Sequence, residues 1–147
     1  MTISATEPGT QLYSRYWQPV EPVVGSIFLC HGFGEHLGWY DGLASQLAQL
    51  GLLVFGHDHQ GHGRSEGRRA YIESVEEFVS DVIRHSVEVK AEYPGLPMFL
   101  YGHSMGGMIA VATVIRNFDE TQTVIFMQIF GTLSKCYNTF WLSHSTL

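Results

Sequence analysis

Leu100-Tyr101-Gly102-His103-Ser104-Met105-Gly106-Gly107 is the stretch that decides how the rest of this chain is read. Its centre, Gly102 to Gly106, fits the pattern G-x-S-x-G, which carries meaning where a buried strand turns sharply into a helix. The apolar run Met98-Phe99-Leu100-Tyr101 leads in as such a strand. Met108, Ile109, Val111, Ala112 and Ile115 follow on a predicted helix from Ser104 to about Arg116. In that setting Ser104 sits in a strained backbone conformation at the strand tip, with its Oγ exposed as a nucleophile. The glycines two before and two after it leave room where strand and helix pass closely. The helix N-terminus adds a partial positive charge for a developing oxyanion. The competing reading makes Ser104 a plain side-chain cap of the helix.

Working outward, strands alternate with helices. Gln11 to Trp17 alternates as a strand, and Pro19 and Pro22 interrupt the chain after it. Val23 to Cys30 contains a continuous apolar run, the mark of a parallel strand buried on both faces. Trp39 to Leu50 places Tyr40, Leu43, Leu47 and Leu50 at helical spacing, with Gly51 as its stop. Leu52 to Gly56 reads as another buried strand. Ser74 to Tyr93 reads as a long helix with Phe78, Val82 and Val89 on one face and a Ser74/Glu77 capping box. This order predicts an α/β fold, a mostly parallel sheet with helices on both faces and right-handed crossovers. Residues 1–10 read as a loose, polar start, residues 11–117 as the core, and 118–147 as a divergent tail. Within that tail the run from Val124 to Phe130 is expected to add one strand.

The strand ending at Cys30 runs into His31-Gly32-Phe33-Gly34. In a nucleophile elbow of this kind, an amide from the loop after an earlier strand joins the amide following the serine. Phe33 N–H and Met105 N–H are the candidate oxyanion donors. The competing reading of the loop is a flexible glycine turn.

Three histidines, His57, His59 and His62, follow the strand at 52–56 and invite a metal reading. The loop has no cysteine, and no other His/Asp/Glu cluster completes a site, so no metal is expected. A tight turn organised by Asp58 is the expectation there, with His31 structural.

The chain has 147 residues, 45% of them apolar and 15% charged, which suits one globular domain. Its net charge is −6 and no basic block appears, so nucleic acid is not an expected partner. Cys30 and Cys136 make neither a disulfide framework nor a zinc site. The start, Met1 to Glu7, lacks the charged and apolar regions of a signal peptide, and no window suits a membrane span. The default address is cytoplasmic, with peripheral membrane contact left open.

With these pieces in place, the sequence resembles the monoacylglycerol lipase family of α/β hydrolases. The matching residues are His31 to His36, Asp58 to Gly67, Tyr93 to Pro97 and Gly102 to Gly107, in the family's order and spacing, over about residues 10–117. The resemblance implies hydrolysis of a monoacylglycerol to glycerol and a fatty acid through a Ser104 acyl-enzyme, without a cofactor. Related branches act on lysophospholipids and other carboxylic esters. It implies a small lipid ester as partner, Ser104 as nucleophile, and Phe33 and Met105 as oxyanion donors. Family members often carry a small residue where Phe33 stands.

The family's triad runs Ser, then Asp, then His. After Ser104 the only acids here are Asp119 and Glu120, and the only histidine is His144. Asp119 would lie about 20 Å from Ser104 along an intact helix, beyond the roughly 3 Å reach that a base or its orienter requires. No triad Asp or His is therefore assigned, and low turnover is expected. The resemblance ends near Asn117. This is the expectation for a truncated form of the family, from alternative splicing, intron read-through or an imperfect gene model. The alternative is a non-catalytic interaction or regulatory fragment.

Overall fold

A computed structural model describes residues 2–4, 9–20, 22–116 and 125–128; for Thr2, Ser4 and 125–128 it describes the backbone. Asp119, Glu120, Cys136 and His144 lie outside the described residues. Six strands form one sheet in the order β1-β2-β4-β3-β5-β6. They are β1 (Thr2–Ser4), β2 (Gln11–Trp17), β3 (Gly25–Cys30), β4 (Leu52–His57), β5 (Met98–His103) and β6 (Ile125–Gln128). β1, β2 and β4 pair antiparallel in turn, and β4, β3, β5 and β6 run parallel. Three α-helices are described: α1 (Asp41–Gln49), α2 (Val75–Glu92) and α3 (Met105–Arg116).

β3 sits in the middle, and all six of its residues are buried. Alternate side chains serve two cores. Phe28 and Cys30 join Phe55, Leu100, Phe78, Val82 and Ile109 beneath α2 and α3. Ile27 and Leu29 join Val54, Leu37 and Ala44 beneath α1. Helices thus cover both faces, as the unbroken apolar run of β3 implied.

Two local readings are corrected. The helix expected from Trp39 begins as a 3-10 turn, Leu37–Tyr40, and becomes α-helical at Asp41. Its buried residues are Ala44 and Ala48 rather than the leucine stripe, and Leu43 and Leu50 are exposed. Small residues let a helix lie close on a sheet, so the alanines take the contact face. In the segment expected to be loose, Thr2 to Ser4 pair with β2. The pairing extends the sheet through backbone groups that a strand of only three residues does not advertise.

α2 begins where the sequence placed it, with the Ser74 hydroxyl accepting from the Glu76 amide at 3.1 Å.

Candidate active site

Parallel register sets the site. Cys30 of β3 lies beside Gly102 of β5, and Leu29 lies beside Gly56 of β4. The three loops leaving these strands therefore emerge together at the carboxyl edge of the sheet, the usual place for sites in α/β folds.

At the tip of β5 the chain turns through Ser104 at φ 51° into α3. Left-handed backbone is costly for a side chain with a Cβ, on the order of 1–3 kcal/mol. The turn is held by packing. A Cβ on Gly102 would collide with the Gly106 carbonyl and lie 2.6 Å from the Gly107 nitrogen. A Cβ on Gly106 would collide with the Cys30 carbonyl and lie 2.6 Å from the His31 carbonyl oxygen. The Ser104 carbonyl accepts from the Gly107 and Met108 amides at 3.0 and 3.3 Å. Gly107 N–H is thus taken by backbone. Ser104 also lacks the extended conformation of a side-chain cap, so its part-exposed hydroxyl is not spent on capping α3. Met105 N–H is the first amide of α3 and has no intrahelical carbonyl to bond.

The loop after β3 forms a tight turn. Gly34 at φ +74° lets the Glu35 amide reach the Gly32 carbonyl at 3.2 Å. That turn uses neither the amide nor the ring of Phe33, which is 53% exposed and meets the His62 ring edge-on at 5.5 Å. Glu35 Oε2 accepts from the Gly32 amide at 2.8 Å and the Tyr40 hydroxyl at 2.5 Å. Glu35 Oε1 lies 3.0 Å from Nδ1 of His103, the residue before the serine.

The histidine loop is structural in the way Asp58 foretold. Asp58 is buried, its Oδ1 accepts from the Leu37 amide and its Oδ2 from the Arg64 amide, both at 2.8 Å. We expect Asp58→Asn to destabilise the fold by about 2 kcal/mol, because an amide presents a donor to one of two buried N–H groups. Chemical denaturation followed by tryptophan fluorescence checks this.

The imidazoles pack as a buried string. Among the described residues no cluster of three or more His, Cys, Asp or Glu is arranged to hold a metal ion. His31 Nδ1 donates to the Gly32 carbonyl and Nε2 accepts from the His59 amide, both at 2.8 Å, which makes this ring neutral. Burial pulls its pKa down to about 4 against smaller opposing effects from the Gly32 carbonyl and Asp58. His57 and His59 are held well below their ordinary value, first by burial and then by neighbouring imidazoles. His85 of α2 completes the string. Its Nδ1 lies 3.2 Å from that of His57 and its Nε2 2.7 Å from the Tyr16 hydroxyl, and burial lowers it to about 4. Sequence reading missed His85 and Tyr16, whose separation in the chain hides their contact.

Of the residues singled out, Ser104, Met105 and Phe33 therefore all stand at one edge of the sheet. No side chain among the described residues hydrogen-bonds Ser104 Oγ. Glu35, His103 and Tyr40 were not singled out. Glu35 was visible only as part of the quoted His31–His36 stretch.

Comparisons with known proteins agree with this architecture. The family described as serine aminopeptidase S33 (Hydrolase_4) matches residues 21–130. The human protein named monoglyceride lipase is 51% identical over 105 residues, 71% of this chain and 35% of its own length. A monkeypox virus protein named monoglyceride lipase homolog is 44% identical over 116 residues, 79% of this chain and 42% of its own. A soluble variant of Saccharomyces cerevisiae monoglyceride lipase, solved with a substrate analogue, superposes with a TM-score of 0.75 at 24% identity. That match covers 86% of this chain and 43% of the yeast chain. The chain thus spans well under half the length of these relatives. The matched residues, the sheet order and the strained serine elbow agree, and the chain belongs to the Hydrolase_4 (serine aminopeptidase S33) family of α/β hydrolases.

Proposed function

We propose that the chain is a serine ester hydrolase module acting on lipid esters, with a monoacylglycerol as the preferred substrate class. Ser104 Oγ attacks the ester carbonyl. The glyceryl alcohol leaves with the serine's proton, and water then releases the fatty acid from the acyl-enzyme. Phe33 N–H and Met105 N–H stabilise the oxyanion. The observation that carries this is Ser104 at φ 51° on the strand–helix elbow, a strained placement that serves presentation of its hydroxyl. The likeness to proteins named monoglyceride lipase supports the lipid substrate. A lysophospholipid is the alternative substrate.

Turnover by this chain is expected to be low. Among the described residues no side chain is hydrogen-bonded to Ser104 Oγ, and these residues supply positioning and the oxyanion donors. Among the described residues no helix is long and apolar enough to cross a membrane. Our reading places the chain in the cytoplasm with peripheral contact to its lipid substrate.

The test is release of fatty acid from a long-chain monoacylglycerol and from a lysophospholipid by wild type and Ser104→Ala. We expect a slow wild-type rate, higher on the monoacylglycerol, that Ser104→Ala reduces to background. Equal rates for the two proteins would overturn the hydrolase reading.

A further inference from the structure

We propose that Glu35 is a positioning residue that ties the turn carrying Phe33 to the serine elbow, and so fixes the Phe33 amide relative to the Met105 amide. The inference rests on the reading of Ser104 as nucleophile, and extends it to a residue that touches no reacting atom.

The geometry is that of a clamp. One carboxylate spans three separate segments. Oε2 takes the Gly32 amide at 2.8 Å, at the start of the turn, and the Tyr40 hydroxyl at 2.5 Å, at the end of the 3-10 segment. Oε1 faces His103 Nδ1 at 3.0 Å, on the last residue of β5. The Glu35 side chain is 13% exposed and that of His103 29%, so water competes weakly for these bonds. Charge-assisted bonds of this length are about twice as strong as neutral ones.

The surroundings are shaped for it. A Cβ on Gly32 would lie 3.0 Å from Glu35 Oε2 and 3.1 Å from His103 Nδ1, so a side chain there would press on this meeting point. Tyr40 is itself braced by the Tyr101 ring, edge-on at 6.2 Å, one strand position from the elbow. Desolvation pushes the Glu35 carboxyl up, but the Tyr40 hydroxyl, the Gly32 amide and the His103 and His31 imidazoles together hold it below its ordinary value. The anionic form is therefore the one built in.

Phe33 lies between the two turn residues that the clamp holds, Gly32 and Glu35. Outside the turn, the contact that holds Phe33 is that of its ring, edge-on to His62 at 5.5 Å. Losing one oxyanion donor costs on the order of 100- to 1,000-fold in rate, and a misplaced donor forfeits part of that.

The experiment compares full-length wild type, Glu35→Ala, Glu35→Gln and Ser104→Ala. A fluorophosphonate probe reports the rate of Ser104 modification, and ¹⁵N relaxation reports the order of the Phe33 amide. In Glu35→Ala we expect labelling to slow at least tenfold and the Phe33 amide order parameter to fall, with the far-ultraviolet spectrum retained. Glu35→Gln keeps the volume and should show the same signs at smaller size, and it decides the matter if the alanine variant fails to fold. Labelling within twofold of wild type, or an unchanged Phe33 amide, in a folded variant overturns the proposal. If wild type labels no faster than Ser104→Ala, the nucleophile reading has failed, and the Phe33 amide alone still decides whether Glu35 anchors the turn.

Discussion

Gly106→Ala is expected to lower stability by about 3 kcal/mol or more, enough to leave much of the protein unfolded at 37 °C. The added methyl has nowhere to go. It meets the carbonyls of Cys30 and His31, which are backbone of the central strand and the loop after it. A side chain would swing aside, whereas this strand is paired on both edges and buried throughout. The only relief is to move α3 off β3, which opens the core around Ile109 and Ala110. Gly42→Ala is the control. A Cβ there meets nothing within 4 Å, and the position is helical, so the change should be neutral or stabilising by up to about 1 kcal/mol. Denaturant midpoints of the two variants measure the contrast. Equal midpoints would mean that the elbow is not packed as described.

Acid is expected to unfold this protein well above the pH at which carboxylates protonate. Burial holds His31 and His85 at about 4, and holds His57 and His59 well below the unfolded value of 6.5. Between those limits the unfolded chain binds protons that the folded chain refuses. Stability is therefore complete above about 6.5 and falls as pH drops toward 4. A single histidine moved from 6.5 to about 4 costs about 3 kcal/mol once the pH is below both values. Glu35, held low, adds a loss only below its ordinary 4.5. Denaturation midpoints measured from pH 7.5 to 4.5 should be level at first and then fall steeply. His59→Leu should make the fall shallower. Among the described residues neither ring nitrogen of His59 has a partner, so the substitution gives up no hydrogen bond. A midpoint independent of pH across this range would contradict the account.

Runs buried on both faces, such as Ile27 to Cys30 and Leu53 to Phe55, announce themselves because an unbroken apolar stretch has few alternatives. The elbow was legible for a similar reason: two glycines and a serine between a strand and a helix satisfy a steric demand that few other residues meet. α1 misled because its leucines are more apolar than its alanines, yet closeness to the sheet, not hydropathy, chose the buried face. The clamp at Glu35 was hidden for another reason. Its partners Gly32, Tyr40 and His103 come from three segments that only the register of β3 and β5 brings together. The histidine string is hidden likewise. His57 and His59 read as a polar loop until α2 delivers His85 and Phe78 against them.

In this reading the chain presents Ser104 as a nucleophile at the strand–helix elbow. The most direct test is mass spectrometry of the folded full-length protein after reaction with a fluorophosphonate. One adduct is expected, on the peptide carrying Ser104 and absent from Ser104→Ala. Folded protein that stays unlabelled, or that is labelled equally fast at other serines, would contradict this reading.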